Sequence, residues 1–324
     1  MPLSEFELIN RFFRRSDVPN NASVATGIGD DCAVLNVPVG EQLLVSTDTL
    51  VEGVHFPEGA FPCELAYRCI AVNVSDIVAM GGEPQWLSLA LTLPKADVAW
   101  IESFSIGFFE AADDFGVQLI GGDTTRGPLS ITITVHGFVP SGLALLRSGA
   151  RVGDDIYVSG VLGDAAAALH QIQNNPQEST HCSQLTRQFY RPQPPVKLAV
   201  VLRGLASACI DVSDGLLADL KHVLTASDVG AELTLDSIPL SDALKKYCNH
   251  HGLNATELAC TGGDDYQICF TVPSALEGEL KGRLEAIDMP VNKVGRIVFG
   301  QGLKCFDSHG SEKAMTRTGY QHFK

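Results

Sequence analysis

Four leucines at alternate positions, Leu87, Leu89, Leu91 and Leu93, are followed at once by apolar residues at helical spacing and then by a short buried run. The first pattern has the period of a strand with one buried face. Val98, Ile101, Phe104, Phe108, Ala112 and Phe115 have the period of an amphipathic helix. Val117 to Ile120 predicts a buried strand leading directly into GGDTTRG. Strand, helix and strand in succession point to an α/β fold, in which helices cover the apolar face of a sheet.

The alternation continues in both directions. Leu43 to Val45 predicts a short buried strand ending at STDT, and Glu64 to Met80 predicts a helix that stops at Gly81-Gly82. Ile131, Ile133 and Val135 predict another strand. Beyond the turn RSGARVGDD, a strand is expected over Ile156 to Val158 and an alanine-rich helix over Gly163 to Ile172. Asn174 to Ser183 reads as a polar surface loop, and Pro192, Pro194 and Pro195 as a rigid turn. DVSDG leads into a helix over Leu216 to Leu224, with Ser213 as its expected cap. Strands are expected over Tyr266 to Val272 and Val291 to Phe299. The chain therefore reads as two α/β halves, residues 1–147 and 148–324.

A length of 324 residues suits two domains with a substantial core. Its hydrophobic fraction of 45% and charged fraction of 19% are those of an ordinary globular protein. The net charge of −15 argues against nucleic acid or an anionic membrane surface as partner. A small anionic substrate fits, provided that divalent cations neutralise its approach. The nine cysteines never form CxxC and sit among apolar neighbours, so buried thiols in a reducing compartment are expected. MPLSEFELINRFFRR has no continuous apolar core and no run approaches the ~20 residues of a membrane span, so the expected location is cytoplasmic.

Six acidic motifs, each beside glycine, serine or threonine, carry the chemistry: GIGDD, STDT, NVSDI, GGDTTRG, DVSDG and GGDDY. Carboxylates among small residues suit hard cations, which take oxygen ligands. Asp30 and Asp31 form either a solvated turn or a ligand pair. Asp48 stands with Ser46 and Thr47, where hydroxyl and carboxylate oxygens would share one small volume. Asp76 lies in an otherwise apolar helix, facing either solvent or a metal. Gly122 and Asp123, with Thr124, Thr125 and Arg126 behind them, suit phosphate oxygens. Asp211 and Asp214 flank Ser213, and His55 follows STDT closely enough to contact a substrate. NVSDI and DVSDG each place Ser-Asp at an expected loop-to-helix junction, a faint internal echo. GxxxxGK[ST], GxGxxG, HExxH and GxSxG are all absent, which disfavours P-loop, Rossmann, zinc-hydrolase and serine-hydrolase chemistry.

In the order GIGDDCAV, STDTLVEGVHF, NVSDIVAMGG, GGDTTRG, RSGARVGD, DVSDGLLADL and GGDDY, the chain resembles the bacterial thiamine-monophosphate kinase family from Ile28 to Gly319-Tyr320. The wider group includes aminoimidazole ribonucleotide synthetase, selenophosphate synthetase and a hydrogenase maturation protein. The resemblance implies a two-domain α/β (α+β) fold. Its N-terminal sheet would pair across a homodimer into a β-barrel, and its C-terminal domain would close the active-site cleft. It also implies transfer of the γ-phosphoryl group of ATP to thiamine monophosphate, with no side-chain nucleophile. By motif, Asp30, Ser46, Thr47, Asp48, Asp76, Asp123, Asp211 and Asp214 would hold several Mg²⁺ ions. Gly122, Asp123, Arg147 and Ser213 would contact ATP, and His55, Asp264 and Tyr320 the thiamine substrate. Asp264-Asp265-Tyr266-Gln267 departs from the family's Glu-Asp-Tyr-Glu, so Asp265 competes with Asp264, as Phe323 does with Tyr320. Cys32 and Val152 stand where alanine and proline are usual.

Overall fold

The computed structural model describes residues 5–15, 23–174, 183–315 and 319. Most of the expected loop 174–183, together with Tyr320 and Phe323, lies outside them. The chain divides into two compact units. The first comprises residues up to Ile77 and Gly82–Gly142, the second Val78–Gly81 and everything from Leu143 onward.

In the first unit, α1 (Glu5–Leu8) continues as a π turn over Ile9–Phe13. A small ribbon pairs β1 (Val24–Thr26) with β2 (Val34–Leu35). Then follow β3 (Glu41–Val51), α2 (Pro62–Ala79), β4 (Glu83–Leu93), α3 (Val98–Asp114), β5 (Gln118–Arg126) and β6 (Ser130–Pro140). Their four-stranded sheet runs β3-β6-β4-β5, leaving β3 and β5 as its edges. The alternating leucines of β4 bury Leu87, Leu89, Leu91 and Leu93, and Ile131, Ile133 and Val135 of β6 are buried beside them. Trp86, Ile120 and Phe138 form a smaller core on the other face, with Val24, Ala33 and Leu35 packed against it.

Three expectations are corrected here. The strand at Leu43 to Val45 is neither short nor buried. It is an edge strand of 11 residues with STDT in its middle, and Leu43 and Val45 are 43% and 56% exposed. Its half-buried face carries Leu44, Ser46 and Asp48, so polar residues stand where an apolar alternation would have been visible. GGDTTR is likewise strand, the body of β5, because parallel pairing with β4 continues through Arg126. NVSDI lies within α2, not at a loop-to-helix junction, so the echo with DVSDG is not a repeat of local structure.

The second unit contains β7 (Asp154–Ser159), α4 (Asp164–Asn174), α5 (Gln184–Tyr190), α6 (Val196–Leu202), β8 (Ala208–Val212), α7 (Leu216–Ser227) and β9 (Gly230–Thr234). It continues through α8 (Asp242–His251), α9 (Ala255–Thr261), β10 (Gln267–Pro273), α10 (Glu277–Glu285), β11 (Val291–Val298) and β12 (Gly302–Phe306). Its six-stranded sheet runs β12-β9-β11-β7-β10-β8. β7 and β8 are buried along their whole length, so the expected strand Ile156 to Val158 lies in β7 as an apolar run without polar alternation. The eight described cysteines are free thiols, six of them buried.

Candidate functional site

In the first unit the motifs fall into two groups. A cleft of about 650 Å³ runs along the β5 edge, lined by Asp30, Asp31 and Cys32 from the glycine loop and by Gly121, Gly122 and Asp123 from β5. Gly122 has φ +153°, and a Cβ there would overlap the Leu89 carbonyl oxygen, so only glycine lets β5 lie this close to β4. Asp30 accepts from the Asp31 backbone N–H at 2.9 Å, which turns the loop. Arg14 also lines this cleft, and its guanidinium lies over Gly29. Nothing in the sequence singled out that cation, because its proximity to the cleft depends on where the N-terminal helix folds back.

The second group sits on β3 and α2. Ser46 Oγ donates to Asp76 Oδ2 at 2.5 Å, and the Asn73 carboxamide oxygen accepts from the Asp48 backbone N–H at 3.2 Å. Asp76 is thus turned toward the strand. Burial, and then the charge of Asp76, push the Asp48 carboxyl up to about 6. Thr47 projects from the opposite face, where its hydroxyl bonds Thr134 at 2.9 Å, so STDT does not gather its oxygens in one volume. His55 Nδ1 accepts from the Val51 backbone N–H at 3.0 Å, which leaves the neutral ring's proton on Nε2.

Cross-strand pairing relates the two groups. Asp48 pairs with Ile133, Ile133 with Leu89, and Leu89 with Gly122, so one row of the sheet runs from edge to edge. Three strand spacings separate its ends by about 14 Å.

In the second unit, DVSDG and GGDDY are stitched together. Asp264 N donates to Ser213 O and Tyr266 N to Val212 O, both at 2.8 Å, and a Cβ on Gly263 would overlap the Ser213 carbonyl. Ser213 does not cap α7. Instead Asp219, inside the first turn, accepts from the backbone N–H groups of Ser213, Asp214 and Gly215, each at 3.0 Å. Burial, then the charge of Asp214, raise Asp219 to about 7 in spite of those three bonds. Asp219 is a residue that the motif reading missed; its signal was an acid in the first turn of the helix that DVSDG opens.

Asp264 adopts φ +71° and accepts from the Tyr266 hydroxyl at 3.1 Å. Asp265 is buried, and both its oxygens accept from Gly163 N at the start of α4, so it anchors that helix while Asp264 is half-buried. Asp211 is buried in β8, and Arg147 is exposed, with its carbonyl accepting from Ser227 Oγ at 3.4 Å. Gly319 packs against Asp214 and Ala218.

Among the described residues no three of His, Cys, Asp and Glu form a ready-made ion cage. The Asp48–Asp76 pair nevertheless fits Mg²⁺. It offers oxygen donors only, Ser46 Oγ beside them, and like charges that a divalent cation would relieve.

The family model described as AIR synthase related protein, N-terminal domain, matches residues 29–139, and that of the C-terminal domain matches residues 151–308. The thiamine-monophosphate kinase of Escherichia coli strain K12 is 46% identical over 325 residues, covering 100% of this chain and 99% of the relative. The crystal structure of thiamine-monophosphate kinase from Stenotrophomonas maltophilia K279a is 44% identical with a TM-score of 0.83, covering 88% of this chain and 92% of that one. A structure of AaThiL complexed with AMPPCP and TMP is 33% identical with a TM-score of 0.78, covering 91% and 92%. Because the similarity runs through both units, and so through every one of the acidic motifs, the chain belongs to the thiamine-monophosphate kinase family.

Proposed function

We propose that this chain transfers the γ-phosphoryl group of ATP directly to thiamine monophosphate, giving thiamine diphosphate and ADP, the last step of thiamine diphosphate biosynthesis. The observation that carries this reading is the full-length 46% identity to a thiamine-monophosphate kinase, supported by the AaThiL complex with AMPPCP and TMP.

Magnesium, when bound, neutralises phosphate oxygens and stabilises charge as the phosphoryl group passes in line. Asp30, Ser46, Asp48, Asp76 and Asp123 of the first unit, and Asp211 and Asp214 of the second, are assigned to hold several such ions, whereas the Thr47 side chain, on the other face of β3, is not a ligand beside Asp48 and Asp76. Asp48 and Asp76 carry most of that role, since the charge of Asp76 acts on the half-buried Asp48 and the Ser46 hydroxyl is bonded to Asp76. Gly122 and Asp123 are assigned to the nucleotide, through backbone brought close by the missing side chain, as are Arg147 and Ser213. His55, through its Nε2–H, and Asp264 are assigned to the thiamine substrate, as is Tyr320, which lies outside the described residues. The acceptor oxygen already belongs to a largely ionised phosphate, so no general base or nucleophilic side chain is needed and no phosphoenzyme forms.

The working form is a cytoplasmic homodimer. β3 offers an unpaired edge and two exposed apolar side chains, Leu43 and Val45, as a barrel-forming contact requires. No described helix is long and apolar enough to cross a membrane. Closing two sheets edge to edge through β3 and β5 would set Asp48 and Asp76 of one copy beside Asp123 of the other. Mixing inactive Asp48→Asn and Asp123→Asn dimers, then allowing exchange, should therefore recover up to about a quarter of wild-type turnover. No recovery after demonstrated exchange would overturn the shared arrangement.

The kinase reading itself is tested by ADP release from Mg-ATP with thiamine monophosphate, thiamine or no acceptor. Release is expected with the monophosphate alone. Release with thiamine would make the chain a different kinase, and none with any acceptor would sink the reading.

A further inference from the structure

Away from the acidic motifs, the second unit gathers three imidazoles and a phenol. His170 lies on α4, while Tyr247, His250 and His251 lie toward the end of α8, and the two helices pack together. The Tyr247 hydroxyl is 2.8 Å from His170 Nδ1. Ring centroids are 6.1 Å apart for His170 and His251, 4.3 Å for Tyr247 and His251, and 4.8 Å for His250 and His251. His250 and His251 are exposed, and His170 is half-buried.

We infer that His170 and His251 form a two-histidine clamp for a divalent transition-metal ion of the nickel, copper and zinc class. Two imidazoles on one tetrahedral ion, with metal–nitrogen bonds of about 2.0–2.1 Å, hold their ring centres roughly 5 Å apart. The 6.1 Å separation here closes to that by a small rotation of the exposed ring. Tyr247 supplies the second element of a metal site. A ligating histidine commonly has its other nitrogen held by an outer partner, which fixes the tautomer and aims the free lone pair. With Nδ1–H donated to the tyrosine oxygen, His170 presents Nε2 as the ligand. The third element is electrostatic. α8 ends at His251 with Gly252 as its left-handed cap, so the partial negative charge of its last carbonyls favours a cation there. No third ligand stands in place among the described residues. Water therefore completes the coordination, and the affinity belongs to an open two-imidazole site and not to a closed structural one. Packing accounts for the tilted contact of Tyr247 with His251, whereas the 2.8 Å approach of the Tyr247 hydroxyl to His170 Nδ1 is a polar one that packing does not require.

The test is titration of the full-length protein with Ni²⁺ in excess Mg²⁺, followed by calorimetry. Nickel is chosen because imidazole suits it, whereas the nine cysteines would compete for zinc. Saturable binding of about one ion is expected. His170→Ala and His251→Ala should each weaken it about 100-fold, and Tyr247→Phe about tenfold, the range seen when an outer partner is removed. His251 is exposed, so its variant keeps the fold, which circular dichroism checks. Absence of saturable binding would overturn the inference. So would binding that survives unchanged in His251→Ala.

Discussion

Two carboxylate pairs, one in each unit, share an electrostatic signature and differ in what surrounds them. Asp48 beside Asp76 and Asp219 beside Asp214 are both pushed well above the usual carboxylate range by burial first and by the neighbouring charge second. Asp219 is tied down by three backbone N–H groups and holds the DVSDG loop in shape. On the β3–α2 side a short side-chain bond runs from the Ser46 hydroxyl to Asp76. A raised carboxyl pKa therefore does not by itself identify a metal ligand. The distinction lies in whether the oxygens are already bound to fixed donors, as at Asp219, or are arranged as acceptors for a cation, as at Asp48.

Asp48→Asn should have the largest effect, a loss of about a thousandfold or more in kcat/KM with the melting temperature held or raised, since one of two repelling charges is gone. A fall in stability with turnover retained would reverse the roles of the two pairs. Asp219→Ala should do the opposite. Stranding three backbone donors at the start of α7 costs about 3 kcal/mol of stability by denaturant unfolding, whereas Asp219→Asn, which keeps an acceptor oxygen, costs about 1 kcal/mol. Gly122→Ala should be comparable in stability, because its Cβ overlaps the Leu89 carbonyl, and should also raise KM for ATP.

The pH dependence separates the pairs more finely. For Asp48 the folded value of about 6 lies above the ordinary 3.8, so the folded state binds the proton more tightly. That contribution to stability is present below about pH 4 and is lost as pH rises to about 6. A cation held by the pair restores it. The rise in melting temperature caused by Mg²⁺ should therefore be larger at about pH 7.5 than at about pH 5, and Asp48→Asn should flatten the difference. Asp219 should shed its own contribution up to about pH 7, and Mg²⁺ should change this little, because burial and not the charge of Asp214 is the larger cause of its shift. The smallest effect is expected at Tyr266→Phe, which removes the bond to Asp264 and should raise KM for thiamine monophosphate by a few fold, about 1 kcal/mol at most.

Much of the fold was legible because periodicity is local. The leucines of β4, the apolar spacing of α3 and the glycine stop after α2 each appear within a few residues of the element they specify. β3 was misread for the same reason: where Ser46 and Asp48 replace inward apolar residues, the alternation that marks a strand disappears. Ser213 was misread as a cap because its side chain is of the right type, although Asp219 from within the helix does that work.

By itself the sequence determined the α/β character of the chain, the order of its acidic motifs and the residue types available to phosphate and cation, all of which are properties of short windows. Only the tertiary structure decided that Asp76 turns to Ser46, that Asp265 and not Asp264 anchors α4, and that Asp48 and Gly122 end one row of the same sheet. Those relations depend on strand order and register, which are set by how distant apolar faces pack together, and no window of a few residues contains that information.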